Sequence, residues 1–169
     1  MEVEVKFRYR DGVEEKLREI AELIIEKFEH DFYFNHPCRD FKKTDEAVRI
    51  RRDVEGVTIT YNGPKVDSET KSREEVKVKV DSFENAAELL KKLGFKPVEE
   101  VKKTRKIYRV GDAIVCVDEV EGVGRFVEIE IESESIKDKE KLFEIAELLG
   151  YSRDESITQS YLEMILQEK

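Results

Sequence analysis

Residues 2–7 read EVEVKF, so Glu2, Glu4 and Lys6 alternate with Val3, Val5 and Phe7. A β-strand sends successive side chains to opposite faces, which gives this stretch one hydrocarbon face and one face of pure charge. An antiparallel sheet with one solvated face carries such a pattern. Two carboxylates and an ammonium side by side also suit the lining of an enclosed polar site.

The same arrangement recurs along the chain. Arg49 and Arg51 flank Ile50, Lys77 and Lys79 flank Val78, Lys103 and Arg105 flank Thr104, and Glu128 and Glu130 flank Ile129. Charges sorted by strand gain little on a wet face, where an exposed ion pair contributes only about 0–1 kcal/mol. The sorting makes sense in an α+β fold whose eight antiparallel strands close into a barrel, charged faces inward and helices packed outside. Such a lumen suits a polyanion with a divalent metal, the cations pairing with phosphate oxygens and the carboxylates holding the metal. A linear triphosphate with magnesium or manganese has that chemistry.

Working outward, Val13, Leu17, Ile20, Ile24 and Phe28 recur at three and four residues and predict one long amphipathic helix, after which HDFYFN (30–35) alternates as a strand. NHPCRDFKKTDE (35–46) reads as a loop. AVRIRRD and VTITYN form a hairpin across Val54–Gly56, and REEVKVKVD supplies another strand. Ser82 and Gly94 punctuate the helix FENAAELLKKLG as N-cap and C-terminal glycine. VKKTRKIYRV, AIVCVDEV and RFVEIEIES bring the strands to about eight. AAELLKKLGF (86–95) is echoed by LFEIAELLGY (142–151), which sets Val101, Lys103 and Arg105 against Ile157, Gln159 and Tyr161 and predicts two strand-and-helix halves.

At 169 residues the chain fits one domain, 1–169. A charged fraction of 42 %, from both signs, is the composition of heat-adapted proteins. The net charge of −9 argues against a nucleic-acid partner. No apolar run reaches membrane-span length and the strand pattern begins at once, so a cytoplasmic protein without membrane association is expected. Cys38 and Cys116 lack the spacing of a zinc site or disulfide framework and read as ordinary reduced thiols.

Glu2, Glu4 and Lys6 resemble the ExExK signature of the CYTH superfamily, the triphosphate tunnel metalloenzymes, which includes class IV adenylyl cyclases, thiamine triphosphatases and inorganic triphosphatases. The resemblance continues in order through DFYF, VRIR, TYNGPK, SREE, VKKTR, VDEVEGVGRFVEIE and SYLEMIL. The segment HPCRDFKKTDEAVRIRR and the SYLEMIL end are most similar to the cyclase branch. The resemblance implies an eight-stranded tunnel in which Glu2, Glu4, Asp118, Glu128 and Glu130 bind Mg2+ or Mn2+. Lys6, Arg49, Arg51, Arg73, Lys103 and Arg105 would hold the substrate, with Glu4, Lys6 and Glu130 at the catalytic centre and Glu75 orienting Arg73.

The implied activity is conversion of ATP to cyclic AMP and pyrophosphate by a monomer or homodimer. The alternatives are hydrolysis of thiamine triphosphate, a nucleoside triphosphate or inorganic triphosphate, and a tunnel that binds polyphosphate without turnover. Two positions depart from the family pattern. Asn62 stands where Tyr-Lys-Gly-Pro has lysine, with Lys65 three residues on, and Lys77 replaces a second glutamate.

Overall fold

The computed structural model describes residues 1–168. Among them, eight strands and five α-helices follow in the order β1 (Glu2–Arg8), α1 (Val13–Ile20), β2 (Glu22–Asn35), α2 (Phe41–Thr44), β3 (Ala47–Asp53), β4 (Gly56–Asn62), β5 (Glu75–Val80), α3 (Phe83–Lys92), β6 (Lys96–Val110), β7 (Ala113–Val120), β8 (Gly124–Glu132), α4 (Lys139–Leu148) and α5 (Tyr161–Gln167). The strands make one curled antiparallel sheet in the order β1-β8-β7-β6-β2-β3-β4-β5.

The two ends of that sheet are joined by the segment that leads into β5. Glu2 N donates to Arg73 O at 3.0 Å, Arg73 N returns the bond to Glu2 O at 3.1 Å, and Lys71 N donates to Glu4 O at 3.0 Å. A strap at residues 69–73 thus closes the wall beside β1, while β5 takes its ladder from β4. The result is the α+β, barrel-like antiparallel architecture expected from the alternating charges.

Strand parity explains the layers. Val3, Val5 and Phe7 turn outward and are fully buried with Leu17 of α1 and Leu142, Phe143 and Leu149 from α4 and its end. Each such side chain contributes about 1.5–3 kcal/mol on leaving water. On the opposite half α3 lays Ala86 and Leu90 over Phe34 and Ile50. Its start is set by Ser82, whose side chain accepts from Asn85 N, and its end by Gly94. Gly94 has φ +97°, and a Cβ there would lie 3.1 Å from Pro37 Cβ, so the position needs glycine twice over. No helix among the described residues is long and apolar enough to cross a membrane.

The structure departs from the sequence reading in three places. The predicted helix stops at Ile20, where Ala21 turns extended, and residues 22–35 form a strand along β6. Ile24 and Phe28 follow Ile20 at spacings of four, which satisfy a period of two as well as one of 3.6. The strand is favoured because it places Lys27, Glu29 and Asp31 on the inner face, while Ile24 and Phe28 remain 42 % and 49 % exposed outside. The loop at 35–46 contains the single turn α2, capped by Asp40. The helices of the internal echo correspond, but residues 156–160 form no strand, and Ile157 N instead donates to Lys6 O at 2.7 Å.

Helix α5 is also placed differently from the others. Tyr161 and Met164 pack on Val101, Val120 and Phe126, which share strand parity with Lys103, Asp118 and Glu128. This last helix therefore sits against the inner face at one end of the tunnel.

Candidate active site

Period-two alternation delivers the site residues to the lumen. Cross-strand register then sets who meets whom: Lys6 is opposite Glu128 and Glu4 opposite Glu130. Arg105 stands opposite Asp118, and Arg51 opposite Asp31. They surround a cavity of about 750 Å³, whose walls include Glu2, Glu4, Arg49, Arg51, Arg73, Lys103, Arg105, Glu128 and Glu130. Lys6 and Asp118 lie one layer behind that wall, both fully buried.

The five carboxylates expected to bind metal separate into two groups. Glu2, Glu4 and Glu130 bring one oxygen each to within 4.8 Å of one another. Burial, then the charges of Glu4 and Glu75, push Glu2 up to about 8. Burial, then Glu2 and Glu4, push Glu130 up as well. Lys71 Nζ lies 2.7 Å from Glu4 Oε2, but off the hydrogen-bonding axis, and that buried oxygen accepts no hydrogen bond. Three crowded carboxylate oxygens, with the buried Glu4 Oε2 accepting no hydrogen bond, fit a hard divalent cation such as magnesium or manganese.

Asp118 and Glu128 are otherwise engaged. Both oxygens of Asp118 accept from Arg105, at 2.7 Å each, and Oδ2 also accepts from the Tyr161 hydroxyl at 2.6 Å. Glu128 Oε1 accepts from Arg105 at 2.6 Å. A bidentate carboxylate of this kind fixes the plane of a guanidinium. The geometry gives Asp118 the role of orienting Arg105.

The cations divide similarly. Arg51 forks onto Asp31 at 2.7 and 2.8 Å, and Lys103 reaches Asp31 at 3.0 Å and Glu29 at 3.4 Å. Burial opposes ionisation of Asp31, but Lys103 and Arg51 outweigh it and hold the carboxyl well below its ordinary range. In contrast, Nε of Arg49 and Nε of Arg73 are buried without an acceptor. Each unsatisfied donor of this kind costs about 1–3 kcal/mol, a cost that an anion in the cavity would remove.

Lys6 is the most enclosed cation. Its Nζ donates to Gln159 O at 2.9 Å, lies 3.6 Å from Glu128 Oε2 and sits 3.7 Å from the Tyr161 ring centroid. Burial, then the charge of Lys71, bring its pKa down to about 7.

Four lining or supporting residues were missed by sequence reasoning. Glu29 lay just past the misread helix and Asp31 within the strand read at 30–35, where neither was singled out, although the alternation Lys27, Glu29, Asp31 carried the same signal as EVEVKF. Lys71 lay in a polar loop without a period. Tyr161 belongs to the SYLEMIL motif, but no spacing pointed to its contact with Lys6. Of the departures from the family pattern, Asn62 lines the cavity and lies 3.5 Å from Glu75 Oε2. Lys65 is held by Asp45 at 2.9 Å and Glu163 at 3.2 Å and does not line the cavity. Lys77 lines it and lies 3.5 Å from Glu75.

The cavity is not polar throughout. Phe34, Phe41, Val98, Leu162 and Leu166 line part of it, contributed by the end of β2, by α2, by the start of β6 and by α5. Charged and apolar side chains lining one space suit a ligand that carries both a polyphosphate and an apolar body.

Comparison with known proteins bears on the family and the fold. The CYTH domain family matches residues 1–161. "Putative adenylate cyclase MJ0240" of Methanocaldococcus jannaschii is 41 % identical over 169 residues, covering 97 % of each chain. "Adenylate cyclase CyaB" of Aeromonas hydrophila is 30 % identical over 170 residues, covering 94 % of this chain and 86 % of that one. The solved structure of PH1819 from Pyrococcus horikoshii superimposes with a TM-score of 0.92 at 41 % identity, covering 100 % of both chains.

Proposed function

The chain belongs to the CYTH domain family, and from that premise we propose that it is a class IV-type adenylyl cyclase that converts ATP to cyclic AMP and pyrophosphate. The family's enzymes are adenylate cyclases or triphosphatases that depend on a divalent metal and act on nucleoside triphosphates such as ATP. We take residues 1–169 as one CYTH domain and magnesium or manganese as the metal.

The observation that carries the cyclase reading is the mixed charged and apolar lining of the cavity. Orphaned donors on Arg49 and Arg73 and the aligned Arg105 face a polyphosphate, while Phe34, Phe41, Val98, Leu162 and Leu166 offer an apolar bed for a purine. A base held there and a triphosphate held by the arginines tie the ribose between two fixed ends, which favours attack by its own 3′-hydroxyl on the α-phosphorus. The names of the two relatives support the same choice.

The chain's residues then have separable tasks. Glu2, Glu4 and Glu130 hold the cation, which when bound would neutralise phosphate charge and make the attacking hydroxyl more acidic. Arg49, Arg73, Arg105 and Lys103 bind the triphosphate and stabilise the charge that builds on departing pyrophosphate. Asp118 and Asp31 keep Arg105, Arg51 and Lys103 in place. Lys6, behind the wall, compensates Glu128.

Chromatography of an ATP incubation with manganese tests the proposal. Cyclic AMP and pyrophosphate in equal amounts are expected. Orthophosphate with ADP, and no cyclic AMP, would replace the cyclase with a triphosphatase working in the same cavity.

A further inference from the structure

We propose that Lys71 is a built-in competitor of the divalent metal, drawn off by triphosphate, so that metal and triphosphate load the tunnel cooperatively. The proposal rests on the reading of the site above and adds a residue and a coupling to it.

Lys71 reaches the lumen because the strap at residues 69–73 is fixed by contacts that do not involve its side chain. Ser72 Oγ accepts from Glu4 N at 3.3 Å and meets Thr70 Oγ1 at 2.7 Å. Asp67 accepts from Thr70 Oγ1 at 2.9 Å and from Lys139 Nζ at 3.0 Å. Arg153 grips Glu69 and Glu140. With its backbone N–H bonded to Glu4 O, Lys71 directs its chain inward along the wall.

Its ammonium lies 2.7 Å from Glu4 Oε2 and 3.4 Å from Glu128 Oε2. Glu4 belongs to the oxygen group that fits the metal, so the ammonium and a dication would contend for one carboxylate. Glu128 Oε2 is also only 3.6 Å from Lys6 Nζ, so two ammonium groups share a single carboxylate oxygen. Two like charges gathered on one oxygen repel each other in a poorly solvated interior. A phosphate oxygen entering the cavity gives Lys71 a new partner, relieves Lys6 and frees Glu4 in one move. Each ligand thereby raises the affinity for the other by the same factor.

Mn2+ binding, followed by electron paramagnetic resonance of the free ion, separates the possibilities. The titrations use wild type, Lys71→Met, Lys71→Gln and Glu4→Gln, with and without a methylene-bridged ATP analogue. Wild type should bind Mn2+ weakly alone and markedly tighter with the analogue. Both Lys71 variants should bind Mn2+ alone about ten-fold tighter or more, because a cation about one ion-pair distance away has been removed. In both, the gain on adding the analogue should shrink.

Unchanged Mn2+ affinity in the two Lys71 variants, with binding lost in Glu4→Gln, would overturn the competition while leaving the metal site intact. Unchanged affinity in Glu4→Gln as well would overturn the site on which the proposal rests. Melting curves of the variants establish that each is folded, and the glutamine variant keeps a polar side chain should the methionine variant fail to fold.

Discussion

Glu4 on β1 and Glu130 on β8 are rung partners in one antiparallel ladder, with side chains on the inner face. Together with Glu2 they form the oxygen group within 4.8 Å. Like charges directly opposite one another destabilise a sheet, and under the proposed function a cation held at this rung is what offsets that cost.

Glu130→Gln is expected to reduce metal-dependent turnover by about 100-fold or more, since it removes an anionic ligand from the metal. The metal-free protein should be as stable as wild type or more so, because the same change relieves repulsion. Initial rates at saturating manganese and melting curves in chelator check the two halves. Glu4→Gln should lose activity in the same way. Wild-type rates in both variants would mean that the carboxylates merely solvate a sheet face.

Glu2 links stability to pH. Its carboxyl is raised from 4.5 to about 8, so between those values the folded protein holds a proton that the unfolded chain has released. This contribution is fully present below pH 4.5 and is lost as pH rises through about 8. Lys6, lowered from 10.5 to about 7, acts with the opposite sign, adding stability as pH rises from about 7 to 10.5. Comparing wild type with Glu2→Gln cancels the lysine. The melting temperature of the metal-free wild type should fall relative to the variant as pH rises from about 4.5 to about 8, by about 2–4 °C for each kcal/mol lost.

Asp118→Asn distinguishes an orienting role from a metal-binding one. The variant should bind Mn2+ alone as wild type does, yet bind the ATP analogue more weakly and lose about 3–5 kcal/mol of stability, because Arg105 keeps its charge without its main partner. Calorimetric titrations of each ligand and denaturant unfolding report the three quantities. Loss of Mn2+ binding alone would return Asp118 to the metal ligands.

Asn62→Lys should tighten triphosphate binding by about 1 kcal/mol, roughly five-fold, by restoring a cation to the cavity wall. Lys65, engaged with Asp45 and Glu163, is not available for that task. Affinity that stays flat would assign it to Lys77, which already lines the cavity beside Glu75.

Much of this arrangement was legible in alternation. EVEVKF, VRIR and FVEIEIE place charge on one face whatever their partners are, and a lumen follows from having so many such strands. Register was not legible, and register decides that Asp118 meets Arg105 while Glu130 meets Glu4. Residues 20–28 misled because a spacing of four belongs to both periods, which hid Glu29 behind an apparent helix. Lys71 could not be found from pattern at all, since a strap held by Ser72, Thr70 and Arg153 has no period to read. The position of α5 was equally hidden, because its apolar residues serve an inner face in place of an outer one.

The central claim, that one cavity holds a metal on carboxylates from β1 and β8 and a triphosphate on arginines from β3, β6 and the strap, is tested most directly by crystals soaked with Mn2+ and the methylene-bridged ATP analogue. The manganese anomalous map should show its strongest peak among Glu2, Glu4 and Glu130, with phosphate density against Arg49, Arg73 and Arg105 and the base against Phe34, Phe41 and Leu166. A manganese peak away from those three carboxylates, or phosphates outside the cavity, would contradict the account.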